Sequence, residues 1–221
     1  VNKLQIRTKV RRKLDETSEG FWLDDELDDY INESYFSLWQ MMLNAKHQGC
    51  LTSTTLNITG GSANVALPAD FQAARLIEKV VDSGTVPLWW EERFDQTNYT
   101  AGVSTGSFFP FKVRFVGQNL IIEPTPQDSE TGGLKLTYYF FPNRLDDDTD
   151  EPNAGLHDFY QDLITYEAVL IAKAKEEMVG GGGADLGAWG MLMEKKKSDF
   201  KGTIELPSVT RQAVEPFELG D

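Results

Sequence analysis

The sequence predicts an α+β protein: a helical bundle formed by the N- and C-terminal parts, an inserted antiparallel β-domain and an extended C-terminal tail. Three observations predict it. Apolar residues recur at helical spacing over residues 3–46 and again beyond residue 157. Residues 51–141 instead break into short runs rich in β-branched and aromatic side chains, punctuated by glycine and proline. From residue 202 onward, Pro207 and Pro216 interrupt a stretch with no sustained period. The expected division is a discontinuous helical domain of residues 1–50 and 154–201, a β-domain of residues 51–153 and a tail of residues 202–221.

The first helix is expected over residues 3–15, where Ile6, Val10 and Leu14 recur every four positions and the basic residues fall largely on the other side. A break at residues 17–20 leads to Phe21-Trp22-Leu23 and a long amphipathic helix, with Asp24 or Asp25 as N-cap and Leu27, Ile31, Tyr35, Leu38 and Met42 on one face. Its early acids, Asp25, Glu26, Asp28 and Asp29, complement the positive end of the helix dipole.

Residues 51–59 then read as a strand ending at Gly60-Gly61, residues 64–67 as one stopped by Pro68, and residues 75–81 as one that turns through residues 82–84 into 85–90. Residues 91–98 suit a brief surface helix and residues 101–107 a small-residue loop. Residues 111–116 alternate apolar with basic, Gly117-Gln118-Asn119 turns the chain and residues 120–123 return, which predicts a hairpin. A last strand is expected after Gly132-Gly133, over residues 134–141 up to Pro142.

Residues 145–152, Leu-Asp-Asp-Asp-Thr-Asp-Glu-Pro, invite a calcium reading, because Asp146, Asp148 and Asp150 occupy positions one, three and five of an EF-hand loop. Glu151 then stands where the sharp turn needs glycine and His157 where the bidentate glutamate belongs, so the stretch reads as a solvated junction that leads into a helix. That helix, from about residue 157 to 179, carries two apolar rows, Tyr160, Ile164, Ala168 and Ile171 beside Leu163, Tyr166, Leu170 and Ala174, and so implies two packing partners. The glycines of residues 180–183 continue as Gly-Ala-Asp rather than Gly-Lys-Ser and form a hinge, not a phosphate cradle. A final helix places Leu186, Trp189, Met193 and Phe200 on one face, with Lys195, Lys196 and Lys197 toward solvent.

Composition narrows the function classes. With 221 residues, 40% of them hydrophobic, the chain buries a real core, and no apolar run is long enough for a membrane helix, so a soluble protein is expected. No basic start followed by an apolar run and a small-residue cleavage site directs it to a secretory path. The single cysteine, Cys50, fits a reducing compartment and reads as an inert structural thiol, which leaves the glycosylation sequons at Asn32, Asn57 and Asn98 without meaning. The formal net charge is -14, although Lys3, Arg7, Lys9, Arg11, Arg12 and Lys13 open the chain without an acid among them. An acidic body does not grip nucleic acid over its whole surface; it suits indifference to DNA or a passage through which DNA slides without sticking.

Catalytic patterns are scarce. The two histidines, His47 and His157, sit at helix ends outside any metal or nucleophile motif, and no Gly-x-Ser-x-Gly, Gly-x-Gly-x-x-Gly or Cys-x-x-Cys occurs. Trp89-Trp90 followed by Glu91-Glu92 has the makings of a sugar platform beside acids, but a strand end explains it more simply. Phe111-Lys112-Val113-Arg114-Phe115 mixes rings with cations as single-strand binders do, and an edge hairpin accounts for it equally. No enzyme, cofactor or metal is expected.

The order of elements, and within it Arg12-Lys13-Leu14-Asp15, Trp22-Leu23-Asp24-Asp25-Glu26-Leu27, Tyr30-Ile31-Asn32-Glu33-Ser34, Leu67-Pro68-Ala69-Asp70-Phe71, Leu120-Ile121-Ile122-Glu123-Pro124, Leu136-Thr137-Tyr138-Tyr139 and His157-Asp158-Phe159 leading to Ala168, resembles the head-to-tail adaptor (connector) proteins of tailed bacteriophages. The likeness is to the gatekeeper type of short-tailed phages in particular. It spans most of residues 4–180, and the succession carries it rather than any single motif.

The resemblance implies a structural virion protein at the head–tail junction, assembled in the host cytoplasm. It implies a homo-oligomer, a dodecameric ring beneath the portal protein, that extends the channel for packaging and ejection of double-stranded DNA and docks tail or nozzle proteins, with no membrane partner. Lys3, Arg7, Arg11 and Arg12 are the charge-based candidates for portal or DNA contact, and Tyr160, Ile164, Ile171 and Trp189 for the subunit interface. The rival reading is a β-domain that binds carbohydrate or protein on a helical oligomerisation stalk.

Overall fold

A computed structural model describes residues 1–16, 20–81, 84–88, 112–156, 158–178 and 186–204. It is mixed helix and antiparallel sheet, as the sequence predicts. The chain divides into two compact units, Val1–Gly49 with Arg144–Asp221, and Cys50–Asn143. The expected tail falls on α4 up to residue 204 and otherwise lies outside the described residues.

The helical unit starts with α1 (Lys3–Lys13), held at its N-terminus by a reciprocal cap. The Asn2 side chain accepts from the Gln5 N–H at 2.9 Å and the Gln5 side chain accepts from the Asn2 N–H at 3.1 Å, which satisfies two orphan donors at once. Helix α2 (Asp24–Asn44) buries Leu27, Ile31, Tyr35, Leu38, Trp39 and Met42, the expected row plus one tryptophan. Its N-cap is Leu23, with no side-chain cap bond, rather than Asp24 or Asp25; the Asp24 carboxylate is drawn instead to Arg11. Helix α3 (Asp158–Met178) packs against α1, α2 and α4 (Leu186–Ile204). Leu163, Ile164, Ala168, Val169 and Ala172 are buried there; of the second expected row only Leu163 is buried, and Tyr166, Leu170 and Ala174 are half-buried. Met193, Phe200 and Ile204 of α4 complete the core.

The second unit holds two antiparallel sheets among the described residues. One has the order β1 (Leu51–Ile58), β7 (Glu130–Phe140), β3 (Phe71–Val81), β4 (Gly84–Leu88); the other runs β2 (Asn64–Ala66), β6 (Asn119–Glu123), β5 (Lys112–Val116). Phe71 of β3 stacks on Phe115 of β5 with ring centroids 5.4 Å apart and joins the two sheets. The predicted hairpin is β5–β6, closed between Val116 and Asn119, with Gly117 at φ 57 where a side chain would strain the turn. The last strand starts at Glu130, four residues earlier than the expected start at residue 134. Gly132, at φ 64, sits in a register shift opposite Leu56 and Ile58, and its N–H is taken by the Asn57 side chain at 2.7 Å, so the glycine pair forms a bulge within the strand rather than its start.

The acidic stretch lies in the helical unit, since the β unit ends at Asn143. His47 accepts a hydrogen bond from the Gly49 N–H at 3.1 Å, and Gly49 meets Gly155 so closely that a Cβ on Gly155 would lie 2.0 Å from the Gly49 carbonyl oxygen.

Candidate interaction surfaces

Helix α1 carries Lys3, Arg7 and Arg11 four residues apart, which places them in one row, and all three point inward, only 5%, 9% and 7% exposed. Helix α2 answers with Asp24 and Asp28 at the same spacing. Arg7 forks onto both Asp28 oxygens at 3.0 and 2.8 Å and reaches Asp148 at 2.9 Å; Lys3 meets Asp28 at 2.9 Å; Arg11 meets Asp24 at 2.5 Å and Glu16 at 3.1 Å. The sequence reading put the basic side of α1 opposite its apolar row. The ladder of acids on α2 turns half of those cations inward instead, because a desolvated cation is held by paired carboxylates at close range.

Electrostatics follow from the pairs. The hydrogen bond from Arg11 holds the Asp24 carboxyl below the usual carboxylate range, with Arg7 adding to it. Lys175 first, and the Tyr30 hydroxyl next, do the same for Glu26. Burial, then the neighbouring Glu26, raises the Tyr30 phenol. Asp29 pairs with Arg144, so the early acids of α2 tie down α1, α3 and the loop that follows the β unit as well as complementing the helix dipole.

That loop is the acidic stretch. Asp150 caps the backbone N–H groups of Asp146 and Asp147, each at 2.8 Å, and its own carbonyl accepts from the Lys3 N–H. The Asp148 carbonyl accepts from the Leu4 N–H, and the Asp146 carbonyl from Lys3 Nζ. Upstream, the buried Asn32 side chain accepts from the Leu145 N–H at 2.8 Å and donates to the Leu145 carbonyl at 3.2 Å. The stretch therefore anchors the start of α1. Among the described residues no group of three or more His, Cys, Asp or Glu side chains is disposed to hold a metal ion.

The structure treats the candidate site residues unequally. Lys3, Arg7 and Arg11 are occupied within the unit, and Arg12 alone of the four is exposed. Ile164 is wholly buried in the unit's own core, which removes it from any surface. Tyr160 packs on Phe200 of α4 at 4.8 Å, whereas Ile171 and Trp189 are half-buried. Around Trp189 lies a cluster that sequence reading missed. Tyr166 and Trp189 have ring centroids 6.0 Å apart, with Lys13 and Lys196 over the Tyr166 ring at 4.2 and 4.6 Å and Lys173 5.9 Å from the Trp189 ring. Only the seven-residue spacing of Tyr166 with Lys173, and of Trp189 with Lys196, signals it in the sequence.

In the β unit an open cleft is lined by Ala69, Asp70, Gln72, Phe141, Pro142 and Asn143, and Asp70 is already engaged by the Tyr138 hydroxyl at 2.9 Å. Cys50 is buried, and burial pushes its thiol up to about 12. The expected surface helix at residues 91–98, the loop at residues 101–107, Trp89, Trp90, Glu91, Glu92, Phe111, His157 and the glycines at residues 180–183 lie outside the described residues. No described helix is long and apolar enough to cross a membrane.

Comparison with known families matches the model for the SU10 adaptor protein over residues 1–210. Among curated proteins no match was found.

Proposed function

The chain belongs to the SU10 adaptor protein family, structural phage proteins of the head–tail junction that meet portal and tail proteins, and from that premise we propose a finer role. It assembles as a homododecameric ring beneath the portal of a short-tailed particle, extends the DNA channel for packaging and ejection, and docks tail or nozzle proteins. Assembly takes place in the host cytoplasm. The helical unit, residues 1–49 with the chain from residue 144 onward, forms the ring, and the inserted residues 50–143 face the next component.

The observation that carries this reading is the extent of the family match, residues 1–210, which takes in both units and not one module. The formal charge of -14 supports it, since an acidic wall lets a polyanion slide without binding. Arg12, exposed at the end of α1, is the remaining charge-based contact for portal or DNA.

Quantitative mass spectrometry of purified virions, with imaging of the head–tail junction, tests the proposal. A copy number equal to that of the portal and a ring directly beneath it are expected. Absence from virions, or saturable sugar binding or hydrolysis by the monomer, would overturn it.

A further inference from the structure

The Tyr166 and Trp189 cluster is an anomaly in an acidic chain. Lys13, Lys173 and Lys196 crowd two rings, and among the residues whose side chains are described no carboxylate pairs with any of them. Ring faces attract each ammonium weakly, but three like charges so close repel one another, and an anion brought from outside relieves that. Trp189, Leu192 and Lys196 share one face of α4 by spacing, and Leu192 is 39% exposed, so the patch is cationic and apolar together.

The complement is present on the same unit. Asp25, Asp29 and Glu33 form an exposed row on α2, and Asp147 stands exposed in the loop that follows the β unit. Asp25, Glu33 and Asp147 have no cationic partner among the described residues. Phe21 and Leu23, 50% and 57% exposed, adjoin the row at the start of α2. Each surface thus combines uncompensated charge of one sign with exposed apolar side chains.

We infer that the Lys13, Lys173, Lys196, Tyr166 and Trp189 patch of one copy docks on the Asp25, Glu33 and Asp147 surface of a second copy. The inference rests on the ring reading and names the surfaces that build it. Because the two surfaces are different, the contact is head-to-tail, the type that generates a ring when the rotation closes. Apolar side chains beside the lysines favour a protein partner over duplex DNA, which asks only for charge.

Charge reversal tests it. One variant carries Lys13→Glu, Lys173→Glu and Lys196→Glu; the other carries Asp25→Lys, Glu33→Lys and Asp147→Lys. Circular dichroism and melting establish that both fold, and assembly is read by sedimentation and native mass spectrometry, alone and on purified portal. Each variant by itself should assemble more weakly by on the order of tenfold or more, and an equal mixture should recover assembly, because alternating copies restore opposite signs at every contact. Rings unaffected by both reversals, or folded variants whose mixture fails to recover, overturn the inference while leaving the adaptor reading intact. Loss of duplex DNA binding by the lysine variant with unaltered rings overturns it in favour of a DNA contact. A parent chain that forms no ring alone, on portal or in virions overturns both.

Discussion

Asn32→Ala is the most direct probe of how the helical unit holds its connecting loop. The substitution deletes both hydrogen bonds to Leu145, the 2.8 Å bond from its N–H and the 3.2 Å bond to its carbonyl. Asn32 is 2% exposed and Leu145 3%, so water does not replace the lost partner without opening the fold. A buried polar group left unpaired costs about 1–3 kcal/mol, and two such groups, less what a shift of the loop recovers, give an expected loss of about 3 kcal/mol. At a urea slope of about 2–3 kcal/mol per molar, the midpoint falls by roughly 1–1.5 M. Urea titration followed by helical circular dichroism reads the unit directly. Asn32→Asp separates the two bonds: its carboxylate still accepts from the Leu145 N–H but cannot donate to the carbonyl, and it buries a charge. That variant should be no better than alanine at neutral pH and should improve as the carboxyl protonates. An alanine midpoint within about 0.3 M of the parent would refute the clamp.

Three further outcomes are expected. Gly155→Ala pushes a methyl to 2.0 Å from the Gly49 carbonyl oxygen, where backbone has to move; a cost of about 1–3 kcal/mol lowers Tm by roughly 3–10 °C in calorimetry, and an unchanged Tm contradicts the close approach. Asp24 and Glu26 are held below their ordinary values of 3.8 and 4.5, Asp24 by Arg11 and Glu26 by Lys175. Their contribution is therefore complete above those values and lost as pH falls through the lower folded ones. The urea midpoint should stay level down to about pH 5 and then drop, and Lys175→Met should remove the Glu26 share of the drop; a slope indifferent to that change sinks the assignment. Cys50, 0% exposed with its thiol raised to about 12, should escape iodoacetamide at about pH 8 in the native protein and react once unfolded, as intact mass reports; rapid native labelling contradicts its burial.

Periodicity made the helices legible because each has a single dominant requirement, an apolar row against a core. Leu27, Ile31, Tyr35, Leu38 and Met42 are buried in the predicted row, and the Gly117 turn closes the predicted hairpin. Sheet order was not legible. Strand β7 separates β1 from β3, a long-range pairing that local pattern does not encode, and the bulge at Gly132 turns an apparent strand boundary into strand interior. Charged positions were read least well. A carboxylate near a helix's N-terminus complements the dipole whether or not a cation from another helix reaches it, so Asp28 looks much the same in sequence as Asp25, although only Asp28 of the two receives Lys3 and Arg7. The cation and aromatic cluster draws on α1, α3 and α4, and its members are up to 183 positions apart, counting from Lys13 to Lys196.

The cations that open the chain carry the larger lesson about the acidic stretch. Their number alone makes residues 1–13 an electropositive arm. Pairing divides them: Lys3, Arg7 and Arg11 close onto Asp28, Asp148 and Asp24, and Lys9 onto Asp162, whereas Arg12 and Lys13 remain at the far end of α1. The positive potential is thus not spread along the helix but confined to the end that meets Tyr166 and Lys196. Asp148 and Asp150, which the sequence offers as ligands for a calcium ion, serve Arg7 and the backbone instead. A carboxylate already hydrogen-bonded in this way would have to give up those partners to bind a cation, and α1 would lose its anchor in exchange. The stretch is better understood as the fixed base of the first helix, with Arg12 and Lys13 at its other end.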